Sequence, residues 1–132
     1  MPALPADKKR KVAILVSDIH LSLKPPVFRS NEIYWLATQG AYFNQLRKLA
    51  RTTTLSRRDA YTNLPIICGG DIFHKWNSPP ELINFAIDYL PFMYAVPGQH
   101  DLPNHNYKDI EKSAYWTLVQ AGKIKHLDSS TD

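Results

Sequence analysis

The sequence has little cysteine and no long hydrophobic run. Its single cysteine, Cys68, excludes an internal disulfide framework and any Cys-x-x-Cys motif. Its place inside an apolar run favours an inert buried thiol. No stretch approaches the roughly 18 apolar residues that span a membrane, and no cleavage-site pattern follows the basic N-terminus. We therefore expect a soluble, cytoplasmic protein that has no membrane partner.

The sequence also has fewer acidic residues than basic ones. The 132 residues include 16 Lys and Arg against 12 Asp and Glu, a net charge of +4. This excess favours a polyanionic partner such as DNA, although solvated surfaces explain clusters of this size more often. The basic residues concentrate at 8–11 and between positions 47 and 58. Residues 1–11 are expected to be a flexible basic lead, and Lys8-Lys9-Arg10-Lys11 also resembles a nuclear-import signal.

Short apolar runs, β-branched or aromatic and bounded by Gly, Pro or Asp, predict buried strands at 12–16, 65–68 and 92–96. Residues 123–127 predict a fourth strand. Apolar residues at helical spacing predict helices at 32–51, after Ser78-Pro79-Pro80, and at 107–121, with Ser30 or Asn31, Ser78 and Gly122 as caps. The order βαβαβαβ predicts an α/β fold with a mostly parallel sheet and right-handed crossovers.

Three polar clusters come directly after the first three predicted strands. They are Asp18-Ile19-His20, Gly70-Asp71-Ile72-Phe73-His74 and Gly98-Gln99-His100-Asp101. Ligands of open α/β sheets bind beyond the carboxyl ends of the strands, so the three clusters should converge on one edge. Scattered polar residues would not converge in this way.

The residue types in these clusters suit metal-assisted phosphate chemistry. Asp18 and His20 face the same side of an extended backbone, where a carboxylate oxygen and an imidazole nitrogen can hold one divalent ion. Asp71 follows two glycines and has two oxygens, so it can bridge two ions, the usual arrangement for clamping a phosphate. Gln99 adds an amide oxygen, and His100 can donate to the phosphate or to the leaving group. Taken alone, the Asp-x-His triplet is explained equally well by a strand-end cap beside a surface histidine.

In this order the three clusters resemble the calcineurin-like metallophosphoesterases, whose pattern is Asp-x-His, then Gly-Asp, then Gly-Asn-His-Asp/Glu. The resemblance covers nearly the whole chain. It implies that residues 12–132 are the N-terminal half of a metallophosphoesterase sandwich, apparently truncated. Gly70-Asp71-Ile72-Phe73-His74 followed by Asn77-Ser78-Pro79 further resembles the SbcD and double-strand-break-repair nuclease branch, including its phage-encoded relatives.

The resemblance also implies a role for each residue. Asp18 and His20 would bind the first metal ion, Asp71 would bridge both ions, and Gln99 would bind the second in place of the family's Asn. His100 would act on the phosphate or leaving group, and Asp101 would orient His100. His74 would contact a nucleic-acid phosphate, although a loop histidine packed on Trp76 is the plainer alternative. The ions would be two Mn²⁺, with Fe²⁺ or Zn²⁺ as alternatives, and together they would activate a water.

The function implied is a metal-dependent hydrolase acting on DNA phosphodiesters in DNA repair, as an exo- or endonuclease. The resemblance also implies an ATPase partner subunit. A phosphatase or a small-molecule phosphodiesterase of the same fold remains an alternative, because it would share every metal ligand. So does an inactive split or truncated fragment, because the family's later metal-binding histidines have no counterpart here, and a complementing C-terminal fragment would then be needed.

Other conspicuous residues receive plainer interpretations. His105, in a Pro- and Asn-rich loop, is expected to be a surface residue, and His126 to be structural or exposed. Trp35 and Trp116 lie on predicted helices and are expected to pack in the core rather than to stack on nucleic acid.

Overall fold

The computed structural model describes residues 11–51 and 63–129. The predicted basic lead, apart from Lys11, lies outside the described residues. So do Arg57, Arg58 and the predicted connection after Arg51.

The described residues form one parallel four-stranded sheet. Its strands are β1 (Ile14–Val16), β2 (Ile66–Cys68), β3 (Met93–Ala95) and β4 (Ile124–His126), and they lie in the order β1-β2-β3-β4. The pairs are in register up to the last residue of each strand, since Val16, Cys68, Ala95 and His126 are successive partners across the sheet. The carboxyl ends therefore form one common edge, and the predicted α/β fold with a parallel sheet is confirmed.

Within the described residues, three α-helices alternate with the strands: α1 (Trp35–Arg51), α2 (Pro80–Tyr89) and α3 (Ala114–Gln120). Short 3-10 turns lie at Val27–Arg29, Gln99–Asp101, Pro103–His105 and Tyr107–Lys112. No helix among the described residues is both long enough and apolar enough to cross a membrane.

The predicted helix at 107–121 is wrong over its first half. Residues Tyr107–Lys112 form 3-10 turns, and Ser113 is extended, with φ −94° and ψ 156°. The physical reason is a tertiary bond: the amide of Ala114 donates to the carbonyl of Trp76 at 2.7 Å, outside any helical ladder. Ser113 Oγ then accepts from the amide of Trp116 and caps α3.

Two other predicted helix ends differ from those in the structure, and a third is confirmed. α1 begins at Trp35, three residues later than predicted. Ser78 does not cap α2, because its hydroxyl donates to the carbonyl of Lys75, and Pro79 occupies the cap position without a side-chain bond. Gly122 does follow α3 in the left-handed conformation, with φ 80°, as the predicted C-terminal cap requires.

The core lies on one face of the sheet. A strand order that always advances in one direction, with crossovers of one hand, places every connecting helix on the same side. Strand residues on that side are buried or half-buried, and the alternate residues are more exposed: Leu15 is 77% exposed and Tyr94 37% exposed. The main core residues are Leu21, Phe43, Ile66, Cys68, Ile72, Phe73, Leu82, Leu90, Met93, Tyr115, Leu118 and Ile124.

The structure also tests the predicted environments of Cys68, His126 and two tryptophans. Cys68 is buried as expected, and burial raises the pKa of its thiol. His126 is structural, because its ring nitrogens bond the hydroxyls of Tyr107 and Tyr115 at 2.7 and 2.9 Å. Trp35 and Trp116 are only half-buried, so their predicted place inside the core is partly wrong.

Candidate metal centre

The turns after β1 and β2 have an unusual backbone. Asp18, His20 and Asp71 adopt left-handed conformations, with φ of 56°, 52° and 55°. Residues other than glycine rarely adopt this backbone conformation, and it persists only where the surrounding structure enforces it. Here two bonds join the turns: the amide of Asp18 donates to Gly70 at 3.1 Å, and that of His20 donates to Asp71 at 2.9 Å. The paired turns bring three predicted ligands together.

These residues, Asp18, His20 and Asp71, form what we call the carboxylate group. Nε2 of His20 lies 3.6 Å from Oδ1 of Asp18 and 3.8 Å from Oδ2 of Asp71. One ligand atom from each of the three lies within 4.8 Å of the others. Two carboxylates and an imidazole are a donor set that suits divalent transition metals. The carboxylate group therefore fits such an ion.

A second cluster, which we call the imidazole group, consists of His20, His74 and His100. Its ligand atoms also lie within 4.8 Å of one another. The rings of His74 and His100 are stacked with centroids 5.4 Å apart, and the His20 ring stands edge-on to His100 at 4.8 Å. Burial, followed by the nearby charges of His20 and His100, lowers the pKa of His74. A lowered pKa favours the neutral imidazole, the form that binds metal.

His100 is bonded twice to the loop after β2. Its Nδ1 lies 2.9 Å from the backbone carbonyl of His74, and its amide donates to Oδ1 of Asp71 at 2.8 Å. A carbonyl only accepts, so this bond assigns the proton to Nδ1 and leaves Nε2 for another partner. His100 thus presents one defined nitrogen beside the carboxylate group.

Asp101 has partners other than the predicted one. Its carboxylate is fully buried and accepts from the amides of Gly98, Ile72 and Phe73 at 2.9, 3.2 and 3.1 Å. Burial raises the pKa of this carboxyl, and the three amide bonds oppose that shift. The arrangement differs from the expected contact with the ring of His100, which bonds the His74 carbonyl instead. Asp101 joins the loop after β2 to the loop after β3.

Sequence comparison assigns this arrangement of residues to a family. The sequence model of the calcineurin-like phosphoesterases matches residues 12–129. The chain belongs to the calcineurin-like phosphoesterase family. It is therefore a metal-dependent phosphoester hydrolase in the general sense, and the parallel sheet matches half of the family's sandwich. No curated protein matches the chain in sequence.

Two glycines allow the close approach on which the centre of this phosphoesterase depends. A Cβ at Gly70 would come within 2.7 Å of the Cα of Gly98, and Gly70 has φ 118°. A Cβ at Gly98 would overlap the backbone and carboxylate of Asp71. The loops after β2 and β3 can therefore touch only because both positions lack a side chain.

Gln99 lies in the 3-10 turn between Gly98 and His100, and it is exposed. Its backbone carbonyl bonds Nδ1 of His105 at 3.0 Å. Its predicted role as ligand to a second ion stays a prediction.

Two grooves border the centre at His74. One, of about 540 Å³, extends from His20 and His74 along the loop 21–27 to Pro79 and includes Lys24 and Lys75. The other, of about 420 Å³, lies between the segment 74–77 and the segment 99–105. His105 is exposed, as predicted, and it also lines the second groove. The available signal was Asn104, a residue that tolerates the left-handed conformation found there.

Proposed function

We propose that this phosphoesterase hydrolyses phosphodiester bonds in DNA, as the SbcD-type nucleases that it resembles do. The observation that carries the proposal is the place of His74 between two grooves that meet at the metal-binding residues. A phosphodiester has two substituents on its phosphorus and a monoester has one. Two grooves at one centre accommodate a diester better than a monoester.

The charges beside the centre favour a polyanion. Lys24 and Lys75 line the larger groove, and both are exposed. Ammonium groups beside a hydrolytic centre attract the phosphates that flank the scissile one in a nucleic acid. A small uncharged substituent would gain nothing from them.

The residues divide into metal-binding and phosphate-facing sets. Asp18, His20 and Asp71 would hold a divalent ion, for which we propose Mn²⁺, and Gln99 would contribute to a second. Such ions neutralise phosphate charge and activate water at neutral pH. His100, with its Nδ1 proton bonded to the His74 carbonyl, would donate from Nε2 to the phosphate or to the leaving oxygen when both ring nitrogens carry a proton. His74, mainly neutral, lies beside it as a second contact to phosphate.

The test compares substrates on one protein preparation in Mn²⁺. The substrates are a single-stranded DNA oligonucleotide, bis(p-nitrophenyl) phosphate and p-nitrophenyl phosphate. We expect the diester to be cleaved in preference to the monoester, and we expect DNA binding to weaken steeply as salt increases, because phosphate contacts release counterions. Lys24→Ala and Lys75→Ala should each flatten this salt dependence, whereas Lys108→Ala, whose side chain lines neither groove, should not. Preferred cleavage of the monoester, or DNA binding that is insensitive to salt, would overturn the proposal in favour of a phosphatase.

A further inference from the structure

His105 has the same hydrogen-bonding arrangement as His100. Its Nδ1 lies 3.0 Å from the carbonyl of Gln99, as Nδ1 of His100 lies 2.9 Å from the carbonyl of His74. Because a carbonyl only accepts, Nδ1 of His105 carries a proton, and in the neutral ring Nε2 is then an acceptor. No described residue bonds this Nε2. A ring held in this way is oriented for a partner outside the chain.

The backbone that carries His105 is strained. Asn104 and His105 are consecutive left-handed residues, with φ of 51° and 56°. For residues other than glycine, asparagine and aspartate this conformation costs roughly 1–2 kcal/mol, so the cost here falls mainly on His105. The turn is closed by bonds from the His105 amide to Leu102 and from the Asn106 amide to Pro103. Strain of this kind concentrates at ligand sites, where it places a side chain that an ordinary turn would misplace.

The groove beneath this turn has the size and the chemistry of a ligand site. Its volume of about 420 Å³ lies within the roughly 300–1,000 Å³ of typical small-molecule sites. Its lining includes the indole of Trp76, the amides of Asn77 and Asn104, the ring of His105 and also Lys75. An aromatic ring with polar donors and acceptors around it suits a planar heterocycle with a polar edge. His74 and His100 line the same groove, so it opens onto the phosphate-facing residues.

We propose that the groove between Trp76 and His105 is a subsite for a nucleobase whose sugar is esterified to the phosphate at His74 and His100. Trp76 supplies the stacking surface, and Nε2 of His105 accepts from the polar edge of the base. The inference rests on the proposed phosphodiesterase function, and it adds two specificity-determining residues to it. The subsite would recognise a single nucleotide unit, and this unit can belong either to a free nucleotide or to a nucleic acid.

Calorimetric titration of the Mn²⁺-loaded protein tests the subsite without measuring turnover. The probes are deoxyadenosine 5′-monophosphate, deoxyribose 5-phosphate, inorganic phosphate and a short oligodeoxyadenylate. Since stacking on an aromatic side chain is worth about 1–3 kcal/mol per base, the mononucleotide should bind roughly 10-fold or more tighter than the sugar phosphate. A similar gain for the oligonucleotide would identify nucleic acid as the source, and a gain for the mononucleotide alone would identify free nucleotides.

Three variants complete the test. Trp76→Leu and His105→Asn should each reduce the nucleotide's advantage and leave the binding of deoxyribose 5-phosphate unchanged; Asn tolerates the left-handed backbone of position 105. Tyr89→Leu is the matched control, because Tyr89 is an exposed aromatic residue at the end of α2, just before β3 begins, on the opposite edge of the sheet. A nucleotide that binds no tighter than the sugar phosphate, or variants that keep the full advantage, would overturn the subsite. Failure of every phosphate probe to bind would instead overturn the proposed function.

Discussion

The carboxylate group and the imidazole group share His20, and they are built differently. All three residues of the carboxylate group lie on left-handed backbone in paired turns. In the imidazole group only His20 does, and the ring of His100 is oriented by a backbone carbonyl. In the carboxylate group the backbone conformation makes the side chains converge. In the imidazole group a hydrogen bond orients a ring nitrogen. The comparison teaches that a proposed metal ligand and a proposed phosphate contact can lie side by side and still depend on different parts of the fold.

The difference extends to charge. The carboxylate group brings two acidic side chains to one imidazole, which attracts a cation. The imidazole group brings three rings together, and burial, followed by the charges of His20 and His100, lowers the pKa of His74. Apart from those of His20, which belongs to both groups, substitutions in the carboxylate group should therefore change metal binding, and substitutions in the imidazole group should change turnover.

His20→Ala should have the largest effect, because His20 belongs to both groups. We expect Mn²⁺ affinity to fall by more than about 100-fold, since even residues that merely orient a ligand are worth about 10–100-fold. Hydrolysis should fall with it. Calorimetric titration with Mn²⁺ measures the first quantity, and a diester assay measures the second. Retained metal binding would show that the carboxylate group does not depend on His20.

His100→Ala should separate the two groups most clearly. Turnover should fall by about 10²–10⁴, the range for general acid-base catalysis, while metal content changes little. Activity assays paired with metal analysis of the purified variant provide the check. If metal is lost together with activity, His100 is a ligand and the division between the groups fails.

Asp71→Asn should cost more Mn²⁺ affinity than Asp18→Asn, by roughly 10-fold. Asp71 is the predicted bridging ligand, and its Oδ1 also accepts the amide of His100. Asp18 is largely exposed and has no comparable bond among the described residues. One tenfold step corresponds to about 1.4 kcal/mol, less than the value of a typical hydrogen bond to a charged group, about 1.5–3 kcal/mol. Equal losses in parallel titrations would contradict a bridging role.

Gly98→Ala should lower metal affinity without removing any proposed ligand. An added methyl group overlaps the backbone and carboxylate of Asp71, so the loops after β2 and β3 must move apart and Asp71 is displaced. Gly122→Ala is the matched control. Gly122 has φ 80° and no atom near an added Cβ, so the change should lower the free energy of unfolding by roughly 1–2 kcal/mol without changing metal affinity. Thermal unfolding and metal titration of both variants distinguish steric displacement of Asp71 from general strain.

The sequence by itself determined the alternation of strands and helices and the residues that meet at one edge. Short β-branched runs can be recognised without any tertiary information, because a strand buried in a parallel sheet is apolar along its length. The ends of such strands lie side by side, so Asp18, Asp71 and His100 could be expected to converge before any contact was known. Their convergence follows from topology and needs no detail of packing.

Only the tertiary structure decided how those residues are held. The amide of Ala114 bonds the carbonyl of Trp76 and breaks a helix that periodicity predicts. The carboxylate of Asp101 accepts three backbone amides from two loops, although its neighbour in sequence suggests a contact with His100. Each outcome depends on a competition between nearby and distant hydrogen-bond partners. A pattern along the chain describes only the nearby ones, so the distant partner appears once the fold has brought it within 3 Å or so.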